Sequence, residues 1–376
     1  MNKFNIVYLV PSLRRSGPTN QLYYIIDNLD RNLFNPILIT LSEENKESMI
    51  QYFYDLNIKV EKYPLKKWEG IFRYPKGLIK LIKDYDPQTI HTSGFRVDRF
   101  ASKYINFAPT VCTIRNYMFV DYPATYGKFT GNVMAIAHKK YLKSITKPIA
   151  CSESIADEYK KKNNVKLDHI QNGVDINKFY TRNESEKIKL RKILSLPEDK
   201  IIYISTGHLN SRKDPLTSLK AFIKSDAYQG SVFLLLGHGN LKEKCVELAE
   251  SHKNIKFVGR VSNVEDYLAA SNIFISSSKA EGLPNAMLEA MSSGLGVCVS
   301  NIDPHLEIIE GENYVGSVFK VGEQEDCIES INKTYRLYSN KTLEKNNREL
   351  IVKNLSAENM SNKYQELYLK LANMSV

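Results

Sequence analysis

Apolar residues along the chain come in short dense runs, each followed by a stretch in which they recur every three or four positions. FNIVYLV (Phe4–Val10) is apolar at nearly every position, whereas Thr19–Leu29 carries Leu22, Ile25, Ile26 and Leu29 at helical spacing behind Pro18. An unbroken apolar run predicts a strand covered on both faces; the spaced run predicts an amphipathic helix, and proline suits its first turn. PILIT, LNIKVEKYPL, TIHTS, TVCTI and PIACS continue as strands, with GLIKLIKDY as a helix among them. From Gly173 the chain turns polar through NKFYTRNESEKIKLRKILSLPEDK, which reads as a crossing between domains plus one helix. A second series follows: strands IIYIST, SVFLLLG, IKFVG, IFISSS, GVCVS and YVGSVF, alternating with helices PLTSLKAFIKS, LKEKCVELAES and VEDYLAAS. Ala357 to Met374 has an amphipathic helical pattern. Such alternation predicts parallel sheets with helices on both faces. The expected architecture is α/β, two Rossmann-like doubly wound domains facing a central cleft. Residues 1–175 form the first domain, 176–355 the second, and 356–376 a terminal helix packing back towards the first. Ligands in such sheets bind beyond the carboxyl ends of the strands.

Composition narrows the classes. A chain of 376 residues suits two ordinary domains, and 43% hydrophobic with 25% charged residues excludes wholesale disorder. No run reaches the roughly 18 to 20 apolar residues that cross a bilayer, and the start MNKFNIVYLVPSLRRSG is too short in its apolar part for a signal peptide. The five cysteines are scattered without a C-x-x-C pair, so neither a zinc site nor a disulfide framework is indicated. A cytoplasmic location follows as the expectation. Residues 1–180 hold 27 Lys+Arg against 17 Asp+Glu, while the rest hold 25 against 25. That one-sided charge suits an anionic membrane surface or a polyphosphate; a generally lysine-rich composition is the plainer alternative. No recognition motif accompanies it, so nucleic acid is not an expected partner.

The chemistry concentrates in IFISSSKAEGLPNAMLEAMSSGLGVCVS, residues 273–300. A strand enters a loop containing Gly282 and Pro284, and a helix begins near Asn285, so two carboxylates, Glu281 and Glu289, bracket the loop and first helical turns. Loop amides and the positive helix end suit a diphosphate, and a carboxylate such as Glu289 accepts hydrogen bonds from vicinal hydroxyls. An ordinary strand-to-helix turn with surface glutamates is the alternative. In IIYISTGHLNSRKDP, residues 201–215, a strand runs through a glycine turn to Arg212 and Lys213. Cations there suit a departing diphosphate, and a solvated charged turn is the plainer alternative.

Glu281-Gly-Leu-Pro-Asn-Ala-Met-Leu-Glu289 resembles the E-x7-E motif of family-4 retaining glycosyltransferases of the GT-B fold. The resemblance implies that Glu281 lies near the donor sugar, that Glu289 binds the nucleotide ribose, and that the backbone of Gly282, Leu283, Pro284, Asn285 and Ala286 surrounds the diphosphate, through N–H groups at all of these but Pro284. Gly207, Leu209 and Lys213 are similar to the family's G-R-L-x-x-x-K element, with His208 where Arg is usual and Arg212 as a substitute cation. IKFVGRV resembles the segment that meets the base, around Arg260 and Val261; QNGVDINKF resembles the junction element; Gly17 in SGPTNQL resembles the close-approach glycine of the first loop. TIHTSG fits a D-x-x-H-x-H strand end with Ser93 for the second His, and His91 there is more often a packed core residue. Arg115 and Asn116 stand where many members carry a sugar-contacting His. Asp84-Tyr85-Asp86 has the letters of a metal-binding D-x-D but sits before Pro87 at a helix end, which is turn chemistry. No metal or other cofactor is expected. The implied activity is retaining transfer from a nucleotide-sugar, a UDP-sugar by similarity, to a glycan or lipid-linked acceptor of surface polysaccharide, peripheral on the inner membrane face. A nucleotide-sugar 2-epimerase of the same fold and a non-catalytic glycan- or nucleotide-sugar-binding protein are the alternatives.

Overall fold

In the computed structural model, strand β1 (Phe4–Val10) sends Ile6, Tyr8 and Val10 to one face and Val7 and Leu9 to the other, and all five are buried. Each set enters a different apolar cluster, which is why the strand reads as continuously hydrophobic. The structure describes residues 3–65, 76–309, 314–338 and 343–373, with the side chains of 343–346 left aside.

The chain forms two units, Met1–Asn172 with Ala357–Val376, and Gly173–Ser356. In the first, β1 is followed by α1 (Gly17–Asp27), β2 (Phe34–Thr40), α2 (Ile50–Asp55), β3 (Lys59–Lys62), α3 (Lys76–Asp84), β4 (Thr89–Thr92), α4 (Phe95–Tyr104), β5 (Thr110–Ile114), α5 (Met118–Tyr126), α6 (Lys128–Leu142), β6 (Lys147–Ala150), α7 (Glu153–Asn163) and β7 (Asp168–His169). The second unit contains α8 (Glu184–Ile193), β8 (Ile201–Thr206), α9 (Pro215–Lys224), β9 (Ser231–Leu236), α10 (Lys242–Ala249), β10 (Ile255–Gly259), α11 (Val264–Ala270), β11 (Ile273–Ser276), α12 (Asn285–Ser292), β12 (Gly296–Ser300), α13 (Asp303–Ile309), β13 (Gly316–Phe319), α14 (Gln324–Leu337) and α15 (Leu343–Asn354). Helix α16 (Ala357–Asn373) returns to the first unit, where Met360, Tyr364, Tyr368 and Leu371 join the cluster on β1 and α1. Met374 lies outside the described residues.

Every strand pairing is parallel. The orders are β3-β2-β1-β4-β5-β6-β7 and β10-β9-β8-β11-β12-β13, so each sheet reverses direction of growth once, beside β1/β4 and beside β8/β11. Loops leaving two such neighbours diverge to opposite faces and open a crevice. The unit boundary falls at Asn172/Gly173, three residues before the expected position. Hydrogen bonding accounts for it: Asn172 N–H donates to Cys151 O and its side chain accepts from Arg115, whereas Val174 N–H donates to Leu355 O.

Local signals set the helix starts. Ser16 caps α1 through Thr19 N–H, and Asn183 with Glu186 forms a capping box on α8. Asp84-Tyr85-Asp86 ends α3, Asp86 taking φ 44° in the turn, and Tyr85 donates to Glu61.

Candidate active site

The loops after β8 and β11, side by side at the reversal of the second sheet, carry the convergent charges. Glu281 is the hub. Its Oε1 lies 2.5 Å from Lys213 Nζ and accepts from Ser278 Oγ at 2.8 Å; its Oε2 accepts from Arg212 Nη1 at 3.1 Å. Burial pushes this carboxyl up, but Lys213 and then Arg212 outweigh it and bring it down to about 2. It is therefore a fixed anion between two cations. Arg212 directs Nη1 to both Glu281 and Ala280 O, and its Nε and Nη2 have no protein partner among the described residues.

The backbone explains the precision. Lys279 N–H donates to Arg212 O, Lys213 N–H to Asn210 Oδ1, and Ser277 Oγ to Asp214 O, while Lys279 and Asp214 pair at 2.9 Å. Gly207 takes φ 134°, and a Cβ there would lie 3.5 Å from Lys213 Cε. Gly237 is required for a different reason: a Cβ would meet Gly207 O at 1.8 Å. The glycines of LLLGHGN thus let the β9 loop support the β8 loop, with Gly207 N–H donating to Leu236 O and Gly237 N–H to Gly259 O.

Glu289, one turn into α12, meets the opposite environment. No ion pair or side-chain hydrogen bond holds its half-buried carboxyl among the described residues. Burial raises it to about 7, opposed by Lys178 and Lys213 and aided by Glu265. Lys213 therefore acts on both carboxylates, which draws the two motifs into one site. Gly282, Leu283 and Pro284 are buried, Asn285 and Ala286 begin α12, and the capping residue Pro284 offers its first turn no side-chain acceptor. Among the described residues no group of three His, Cys, Asp or Glu gathers as metal ligands do.

Arg212, Lys213 and Ser278 supply these bonds to Glu281, and the other expected residues occupy further positions in the two units. His208 and Arg260 are exposed, and Val261 is half-buried after β10. Gly17 opens α1, and Arg115 and Asn116 follow β5, all in the first unit. Arg115 Nη1 donates to Asn172 Oδ1 at 2.8 Å, and Asn116 Nδ2 donates to Asp121 Oδ1 at 3.4 Å. His91, which the sequence reads more often as a packed core residue than as a sugar or acceptor contact, is 3% exposed. Its Nδ1 and Nε2 lie 2.6 Å and 2.7 Å from Tyr368 Oη and Thr113 Oγ1, and burial lowers it to about 3.

Three supporting residues had no place in the sequence pattern. Ser278 bonds Glu281 directly, and Ser300 Oγ donates to Ser278 O. His305, fully buried, donates from Nδ1 to Ser300 O, and burial lowers it to about 4 against the pull of Glu281, so it is neutral behind the site. The polar triplet Ser276-Ser277-Ser278 at the end of an apolar strand was the available sign for Ser278; His305 had none.

The model for glycosyltransferase family 4 matches residues 15–178, and that for glycosyl transferases group 1 matches residues 186–350. The chain belongs to the glycosyltransferases. It is 27% identical over 313 residues to an Escherichia coli UDP-Gal:alpha-D-GlcNAc-diphosphoundecaprenol alpha-1,3-galactosyltransferase, covering 78% of each chain. It is 22% identical to the E. coli O-antigen biosynthesis glycosyltransferase WclY, covering 81% of this chain and 82% of that one. The crystal structure of Anabaena HepE in complex with UDP and glucose superposes with a TM-score of 0.77 at 17% identity, covering 98% of this glycosyltransferase and all of HepE; that likeness is one of GT-B fold. A transferase fits these relatives better than an epimerase or a non-catalytic binding protein.

Proposed function

We propose that this glycosyltransferase moves a sugar from a UDP-sugar to a glycan or lipid-linked acceptor in surface polysaccharide assembly, with retained anomeric configuration and no metal ion. The observation that carries this is the convergence of Arg212, Lys213, Glu281 and Glu289 where β8 and β11 diverge. The E. coli galactosyltransferase, which takes UDP-Gal and a diphosphoundecaprenol-linked acceptor, supports donor and acceptor class, and WclY supports surface polysaccharide assembly.

As the bond from the anomeric carbon to the β-phosphate breaks, negative charge grows on that phosphate. Arg212 has donors to spare, and Lys213 has further N–H groups beyond the one on Glu281. Fixed by Glu281, they meet the new charge with little reorganisation, the role that a divalent ion fills elsewhere. Backbone N–H groups of Gly282, Leu283, Asn285 and Ala286 add to this, Glu289 accepts from ribose hydroxyls, and His208, Arg260 and Val261 border the nucleotide. Glu281 serves first as the anchor of both cations and through them places the donor sugar. The acceptor oxygen attacks from the face the phosphate leaves, passing its proton to a departing phosphate oxygen. Acceptor recognition falls to the first unit, with Arg115 and Asn116 beyond β5.

The test is incubation of UDP-sugars with lipid-linked acceptor in the presence of EDTA. UDP release that needs the acceptor, with a product of the donor's anomeric configuration, is the expected result. Interconversion of the donor alone, inversion, or activity abolished by EDTA would each overturn the corresponding part.

A further inference from the structure

Helices α5 and α6 form a hairpin whose two faces differ sharply. The inner face of α6 presents Gly131, Ala135, His138 and Leu142, all buried. Gly131 lies so close to α5 that a Cβ would come within 2.3 Å of Pro123 N. His138 bonds Tyr122 Oη at 2.6 Å and Asp98 of α4 at 3.0 Å, fixing the hairpin to the body of the unit. The outer face carries Phe129, Val133 and Ile136, exposed by 85%, 54% and 63%. Their spacing of four and three residues makes one row, which Lys140 and Lys143 continue. Val120 and Tyr126 of α5 are also exposed, and Ile136 shares a shallow hollow with Phe119, Lys139, Lys140 and Lys143.

Scattered surface apolar residues are ordinary, but a row on a rigid hairpin marks a contact surface. Charge identifies the partner. No Asp or Glu occurs between Asp121 and Glu153, while Lys128, Lys139, Lys140, Lys143 and Lys147 do. A second copy would bring like charges together; an anionic bilayer takes the apolar row below its head groups and pairs the lysines at that level. We propose that the α5–α6 hairpin is a membrane-docking surface, with Phe129, Val133 and Ile136 entering an anionic lipid interface and Lys139, Lys140 and Lys143 held at the phosphates. This goes beyond sugar transfer and depends on neither donor nor acceptor.

Co-sedimentation of the full chain with vesicles, either of phosphatidylcholine alone or of equal parts phosphatidylcholine and phosphatidylglycerol, tests it. The wild type binds the mixed vesicles preferentially. Joint Lys139→Gln, Lys140→Gln and Lys143→Gln substitution lowers that binding on the order of a hundredfold, and Phe129→Ser with Ile136→Ser lowers it by about tenfold or more. Both variants keep the wild-type melting temperature and its rise with UDP, since the replaced side chains are on the exposed face. Equal binding to both vesicle types, undiminished binding by the variants, or a change in oligomeric mass with vesicle binding intact would each overturn the proposal. Loss of transferase activity in an acceptor assay leaves this measurement untouched.

Discussion

Glu281 and Glu289 stand eight residues apart on one loop-and-helix segment, yet their surroundings drive them in opposite directions. The loop end places two cations and a hydroxyl on Glu281, and the carboxyl falls to about 2. The helix end covers Glu289 with no side-chain bond to it among the described residues, and it rises to about 7. Residue type is constant, so the difference comes wholly from what the fold sets beside each. One carboxylate is satisfied by the protein and holds its cations still; the other, under the proposed function, accepts donors from the nucleotide. Environments that push two like groups apart in this way divide the roles within a site.

The comparison breaks most readily at Lys213, which pairs with Glu281 and acts electrostatically on Glu289. Lys213→Ala should lower kcat by about a hundred- to a thousandfold, the usual loss on removing one stabilising donor from a developing charge; steady-state UDP release measures it. Glu281→Gln comes next and should act on stability as well as rate. A carboxyl lowered on folding stabilises the fold above its unfolded value near 4.5 and loses that contribution as pH falls towards 2. The variant should be less stable by about 3 kcal/mol at pH 7, with the gap to wild type closing between pH 4.5 and 2 in urea titrations.

Glu289→Gln should show the reverse sign. A carboxyl raised on folding costs stability once pH passes its unfolded value, up to the folded value near 7. The variant should gain about 2 kcal/mol at pH 8, allowing for partial access of solvent, and nothing at pH 4. It should also bind UDP about tenfold more weakly at pH 8 by calorimetry, and wild-type affinity should decline below pH 7 as the carboxyl takes up its proton. The smallest effect belongs to His208→Arg, an added exposed cation, which should tighten UDP about two- to fivefold at low salt and leave the melting temperature unchanged.

Much of this was legible before the structure because it is local. Parallel strands buried on both faces announce themselves as apolar runs, as FNIVYLV and SVFLLLG do. Glu281 and Glu289 lie on one continuous segment, and so do Gly207 and Lys213. Hairpin α5–α6 escaped notice because apolar residues occupy both of its faces, so no single helical stripe stands out. Arg191 sits in a stretch that reads as a polar crossing plus one helix, yet it is buried and donates to Ala270 O and Asn272 Oδ1. Ser278, Asn210 and His305 support the site only through bonds between separate loops, which no spacing along the chain encodes. Glu281's engagement with Arg212 and Lys213 is of the same kind.

The central claim is that Arg212 and Lys213 grip the second phosphate of the donor. Calorimetric titration of UDP and of UMP into the wild type and the Arg212→Ala, Lys213→Ala double variant tests it directly. The account predicts that UDP binding weakens on the order of a hundredfold, about 1.5 kcal/mol for each charge-assisted hydrogen bond removed, while UMP binding changes far less. Equal weakening for both nucleotides, or undiminished UDP binding, would contradict it.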